Sequence, residues 1–176
     1  SWPGNVRNAF RRTKIYGNIF KNCCKGPPFI GGGTSSQDFY SGALKFFTQI
    51  WESPAWDNDI EVYNNYFEDI GDLDVPYVYQ VYRGAGGYES NQAMALWPDT
   101  VTGGSNGVVN MHHNFIKGTW GAGIFIENSP NCGHKAEHNL IVNAGVAATG
   151  WQGGICCGRG TSGAFIRFNT IYSCQT

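Results

Sequence analysis

The sequence predicts an all-β solenoid, one domain over residues 1–176 in which short strand-bearing repeats stack on one another. Three observations predict it. A six-residue pattern recurs at 15–20, 62–67, 111–116, 136–141 and 166–171, each copy carrying Asn at its fourth place, an apolar residue three before it and Phe or Ile two after it. Within the copies apolar and polar residues alternate, the period of a strand and not of a helix. Between them lie turn-forming clusters such as Gly31, Gly32 and Gly33, or Asn128, Ser129, Pro130 and Asn131.

The elements follow in order along the chain. The first strand unit centres on Asn18, with Ile15 and Phe20 facing inward. The second centres on Asn65, where Ile60 and Val62 point in while Glu61 and Tyr63 point out. Asn114, Asn139 and Asn169 mark the third, fourth and fifth units, and in the fifth Phe165 and Arg167 point out around Ile166. The asparagine spacings are 47, 49, 25 and 30. With a repeat near 25, the two long spacings predict an extra coil each, about seven in all. The skipped coils are assigned to 43–50 and to 77–82 or 93–97. One Asn per coil is expected to stack on the next, amide donor to amide acceptor, as a ladder of Asn18, Asn65, Asn114, Asn139 and Asn169.

Composition narrows the setting. Hydrophobic residues are 41% of the chain, too many for a disordered segment, while charged residues are only 14% and the net charge is −1. That balance gives no electrostatic footprint for nucleic acid. The longest uncharged stretch, 139–158, holds two Asn, one Gln and five Gly, so no membrane span is expected. Six cysteines (Cys23, Cys24, Cys132, Cys156, Cys157 and Cys174) include no CxxC pair. Disulfides are therefore favoured over a zinc site, and with them an extracellular or cell-surface location. Cys132 precedes Cys156 and Cys157 by 24 and 25 residues, which suggests a bridge between neighbouring coils.

The repeated core, together with the run from Asn110 to Ile171, resembles the right-handed parallel β-helix repeats of the pectate-lyase-like superfamily. The resemblance covers 15–20 and 60–172. It implies a right-handed parallel β-helix and a range of extracellular roles: polysaccharide lyases, hydrolases and epimerases, tailspikes, adhesins and non-catalytic fibres. Fold alone does not choose among these.

Two function classes stand. In the first, the protein is a structural fibre subunit that polymerises with itself head to tail. The 7 residues after Asn169 and the 18 that end at Asn18 together make one repeat of 25, as if copies continued one another. Cys23 and Cys174 each lie five residues past their Asn and would lie one rung apart across such a junction, where a bridge from Cys174 to Cys23 or to Cys24 is feasible.

In the second class, the protein is a carbohydrate-active enzyme, or a fragment of one, with polysaccharide as its partner. Its candidate catalytic set is His112, Glu137 and Arg167, stacked on successive rungs, with Lys135 alongside. A lyase needs a base for a sugar proton and cations for the uronate carboxylate, and this patch offers both. The same column also reads as a solvated Glu137–Arg167 ion pair. Glu127 and Asp99 are available to a glycoside hydrolase, but spacing does not bring them together.

No cofactor is expected beyond a weak Ca²⁺ candidate at Asp69, Asp72 and Asp74, next to Glu68. His113 and His138 read as packed turn residues and not as metal ligands. The six Trp suit either sugar stacking or packing between subunits.

Overall fold

The fold is read from a computed structural model, which describes residues 12–23, 40–49, 59–71, 92–101, 108–127, 131–146, 153–158 and 160–174. The segment 77–82 and residues Cys24, Asp72, Asp74, Trp2, Trp51, Trp56 and Trp151 lie outside these ranges.

Every regular element among the described residues is a strand. The chain runs through β1 (Lys14–Tyr16), β2 (Ile19–Lys21) and β3 (Tyr40–Gln49), then β4 (Ile60–Tyr63), β5 (Tyr66–Ile70) and β6 (Gln92–Val101). It continues through β7 (Val109–His112), β8 (Phe115–Thr119) and β9 (Ile124–Ile126), then β10 (Lys135–Glu137), β11 (Leu140–Ala144) and β12 (Ile155–Cys157). It closes with β13 (Phe165–Arg167) and β14 (Thr170–Tyr172). All pairings are parallel, and they form three sheets: β1-β4-β7-β10-β13, β2-β5-β8-β11-β14 and β3-β6-β9-β12. The chain thus visits the three sheets in turn, adding one strand to each in four circuits, and the last described strands, β13 and β14, extend the first two sheets.

The register corrects the expected coil count. Ile15 pairs directly with Val62, and Val62 directly with Met111. The described strands form five rungs and not seven. Segments 43–50 and 93–97 fall instead on β3 and β6, in the third sheet of the first two rungs. The spacings of 47 and 49 are single circuits with long excursions. Loop closure grows only logarithmically with length, so a long excursion costs little more than a short one.

The corner between the first and second sheets is two residues long, and its chemistry is local. The residue before each column Asn has positive φ: Gly17 66°, Asn64 53°, His113 55°, His138 54° and Phe168 58°. A second left-handed column closes the second-sheet strands four residues after each Asn, at Asn22, Asp69, Gly118, Asn143 and Ser173. Left-handed backbone costs a non-glycine residue about 1–2 kcal/mol. Here the Asn side chain offsets it by bonding to the preceding rung. Asn65, Asn114, Asn139 and Asn169 donate through Nδ2 to the carbonyls of Ile15, Val62, Met111 and Ala136 at 2.7–2.9 Å.

Alternation then sends one side of every strand inward. Val62, Met111 and Ala136 form one buried column, and Phe67, Ile116 and Ile141 another, as the sequence register requires. Phe20 stacks on Phe67 with centroids 4.8 Å apart. The third sheet closes the core with Leu96, Ile124 and Ile126. Its other face is buried as well: Trp97, Ala122 and Phe125 form a second cluster, against which Cys156 packs. Trp97 and Trp120 are therefore core residues and not exposed sugar platforms.

Candidate functional site

The outer face of the first sheet carries two side-chain columns in the expected order: Lys14, Glu61, Asn110, Lys135, Phe165 and Tyr16, Tyr63, His112, Glu137, Arg167. His112, Glu137 and Arg167 thus sit on successive rungs, with Lys135 on the neighbouring column. Their contacts are mostly structural. Arg167 Nε lies 2.6 Å from Glu137 Oε1, so the carboxylate is already matched to a cation. Lys14 pairs with Glu61 at 3.1 Å. On the second sheet Lys21 and Lys117 flank Glu68 at 2.8 and 3.3 Å, and their hydrogen bonds hold its carboxyl below the usual range. Parallel in-register stacking places opposite charges about 4.8 Å apart and makes such rows.

The imidazoles continue an aromatic row. Tyr16, Tyr63 and His112 stack at 5.0 Å steps. His113, His138 and Phe168 stack at 5.1 Å steps on the corner column beside it. His112 Nδ1 and His113 Nδ1 are 2.9 Å apart. Burial, then the charge of His113, pushes the His112 pKa down, so its neutral form is favoured. No group of three or more His, Cys, Asp or Glu that could hold a metal occurs among the described residues. Asp69, the one described member of the Ca²⁺ candidate, sits on the second left-handed column.

The backbone register brings together two positions that spacing left apart. Leu96 pairs with Ile124, and the Glu127 N–H donates to the Pro98 carbonyl at 3.0 Å. Continuing that register sets Glu127 level with Asp99 on adjacent rungs. Glu127 is buried. The long excursion between β5 and β6 hid this pairing from the sequence.

A buried histidine also escaped sequence reasoning. His134 is fully enclosed, and its Nδ1 accepts the Val109 N–H at 3.1 Å. Desolvation pushes its pKa down to about 4. A signal existed: His134 lies five residues before Asn139, the place that Ile60 and Val109 hold before their own asparagines.

The cysteines correct another expectation. Cys23, Cys132, Cys156, Cys157 and Cys174 are free thiols. Phe125 and Ile126, not Cys132, lie one rung before Cys156 and Cys157. Cys132 precedes β10, and its Sγ accepts the His134 N–H at 3.5 Å. Burial raises the Cys132 and Cys157 thiols and moves Cys156 up to about 11, which suppresses their thiolates.

The two end rungs have the most distinctive geometry. The five asparagines bond with one polarity. The backbone N–H and Nδ2 of Asn18 donate to Asn65 Oδ1, and the same two bonds run from Asn65 to Asn114, Asn114 to Asn139 and Asn139 to Asn169, all at 2.9–3.2 Å. The column therefore ends in donors on Asn169 and in an acceptor, Oδ1, on Asn18. The inward columns also open at the last rung. Ala136 and Ile141 are 0% exposed, while Ile166 and Ile171, next on the same columns, are 45% and 48% exposed. Phe165, Phe168 and Tyr172 are exposed around them.

No protein-family model matches the chain, and neither a curated protein nor a solved structure is similar to it. No helix among the described residues is long and apolar enough to cross a membrane.

Proposed function

We propose that the chain is a right-handed parallel β-helix of the pectate-lyase-like kind, with an asparagine ladder, acting as an extracellular structural subunit that stacks head to tail into a fibre. The handedness follows the strong preference of parallel crossovers. The single observation that carries the function is the match between the first and last rungs. Extended by one step, the register sets Ile166 over Ile15, Ile171 over Phe20 and the Asn169 donors against Asn18 Oδ1. On the outer face it sets Phe165 over Lys14, Arg167 over Tyr16 and Tyr172 over Lys21. Each of these is a cation beside an aromatic ring, with no like charges opposed. An open rung of unpaired strand edge and apolar core favours addition of a further strand layer. A head-to-tail contact of this kind does not close on itself, so it grows into a polymer.

Negative-stain imaging and sedimentation of the reduced protein test the proposal. Elongated particles that lengthen with concentration are expected, and a monodisperse monomer at all concentrations overturns it.

A second reading, a glycoside hydrolase acting on polysaccharide, is supported by the register that sets Asp99 beside Glu127. Glycoside hydrolases flank the scissile bond with a pair of carboxyl groups, and adjacent rungs bring the backbones of these two residues about 4.8 Å apart. Hydrolysis of an acidic or neutral polysaccharide that is lost in E127Q and in D99N supports this alternative, and unchanged hydrolysis rejects it.

A further inference from the structure

The inward column five residues past each Asn reads Cys23, Ile70, Thr119, Ala144, Cys174, with Ile70 and Ala144 both paired to Thr119. A cysteine therefore stands at each end of one column. Both thiols pack against the same core. Both also adopt the same pose: Cys23 Sγ lies 3.7 Å from the Lys21 carbonyl, and Cys174 Sγ 3.5 Å from the Tyr172 carbonyl, each two residues back in the chain. The Ala144 N–H donates to Cys174 Sγ at 3.4 Å, which fixes the thiol over the end of the core.

Within one chain these thiols cannot meet. Four rungs separate them, about 19 Å at about 4.8 Å per rung. A disulfide needs Cα atoms roughly 4.4–6.8 Å apart. One rung step satisfies that range, and four do not.

We propose that Cys174 of one copy and Cys23 of the next are a covalent cross-linking site, closed by a small-molecule disulfide such as oxidised glutathione. This rests on the head-to-tail reading and adds a redox lock to it. The Cys174 thiolate attacks one sulfur of the reagent, forming a mixed disulfide and releasing one glutathione thiolate. Cys23 of the adjoining copy then attacks the protein sulfur of that mixed disulfide and displaces the second glutathione. Two protein thiols are oxidised to one disulfide, and the reagent is reduced to two thiols, so electrons and protons balance. Stacking holds the thiols one rung apart, which makes the second step effectively intramolecular.

The test takes full-length protein, reduced and then exposed to oxidised glutathione. It is read by non-reducing gel electrophoresis and peptide mapping, with sedimentation run in parallel under reducing conditions. A ladder of covalent dimers, trimers and higher species is expected, with the mapped link joining the Cys23 and Cys174 peptides. C174S and C23S should abolish the ladder while leaving non-covalent stacking in place, and C24S and C156S should retain it. Non-covalent stacks without a Cys23–Cys174 link overturn the cross-link alone. A ladder that survives C174S, or is lost in C24S, also overturns it. Absence of stacking under both conditions overturns the head-to-tail reading itself. Circular dichroism matching the parent confirms that each variant is folded.

Discussion

His134 shows how one residue ties the stack to pH. It replaces an apolar residue on an inward column, and it is retained by one hydrogen bond, from the Val109 N–H to Nδ1. That bond requires a neutral ring. With a folded pKa of about 4 against an ordinary 6.5, the folded state resists a proton that the unfolded chain accepts. Its stabilising effect is complete above pH 6.5 and is lost as pH falls toward 4, by about 3 kcal/mol in total. In H134N the amide oxygen takes the place of Nδ1 and does not titrate. The denaturation midpoint of the variant is expected to fall less steeply between pH 6.5 and 4 than that of the parent. Parallel slopes in urea titrations across that range would reject this role. The asparagines act on the same scale but without titrating. Each joins two rungs through its side chain, so its bonds persist at any pH at which the backbone is folded.

At the scale of the element, the strands are short and the corners decide their placement. Three to five residues suffice for the strands of the first two sheets, where left-handed residues recur at the same offsets from each Asn. Corner packing is tight where the second sheet turns toward the third. A Cβ on Gly123 would lie 2.8 Å from both the Gly154 carbonyl oxygen and Ile141 Cγ2, and one on Gly154 would lie 2.6 Å from Ile171 Cγ2. The first contact is with backbone of the next rung, which has no room to yield. G123A is expected to lose about 1–3 kcal/mol through overpacking. G154A should lose less, because Ile171 on the open rung can move. Equal losses in thermal or urea unfolding would contradict this reading of the end rung as yielding.

At the scale of the whole molecule, the half-exposed Ile166 and Ile171 of the last described rung bear on the proposed link between stability and assembly. If copies cover one another's end rungs, folding is coupled to association by mass action, so the melting temperature rises with protein concentration. I171K places a charge on the apolar column at the exposed rung and should flatten that dependence while preserving the fold. A parent melting temperature that does not change over a hundredfold dilution would argue against stacking. The ion-pair rows on the outer faces contribute little to such an interface. They lie on the outer faces of the sheets, where solvent screening leaves such pairs little net energy, and they act mainly on register.

The sequence by itself determined the columns. Period-two alternation around a recurring Asn suffices to name which residues face inward and which stack outward, and so to place His112, Glu137 and Arg167 in a line. Those facts are local, because side-chain direction in a strand follows from chain position alone. Tertiary structure decided the rest. Whether 47 residues make one circuit or two depends on where the chain returns to pair, and a loop of either length closes at nearly the same cost. The same return decided that Asp99 and Glu127 take level positions on adjacent rungs, that Phe125 and Ile126 and not Cys132 precede Cys156 and Cys157 by one rung, and that Ile166 and Ile171 are half exposed on the apolar columns.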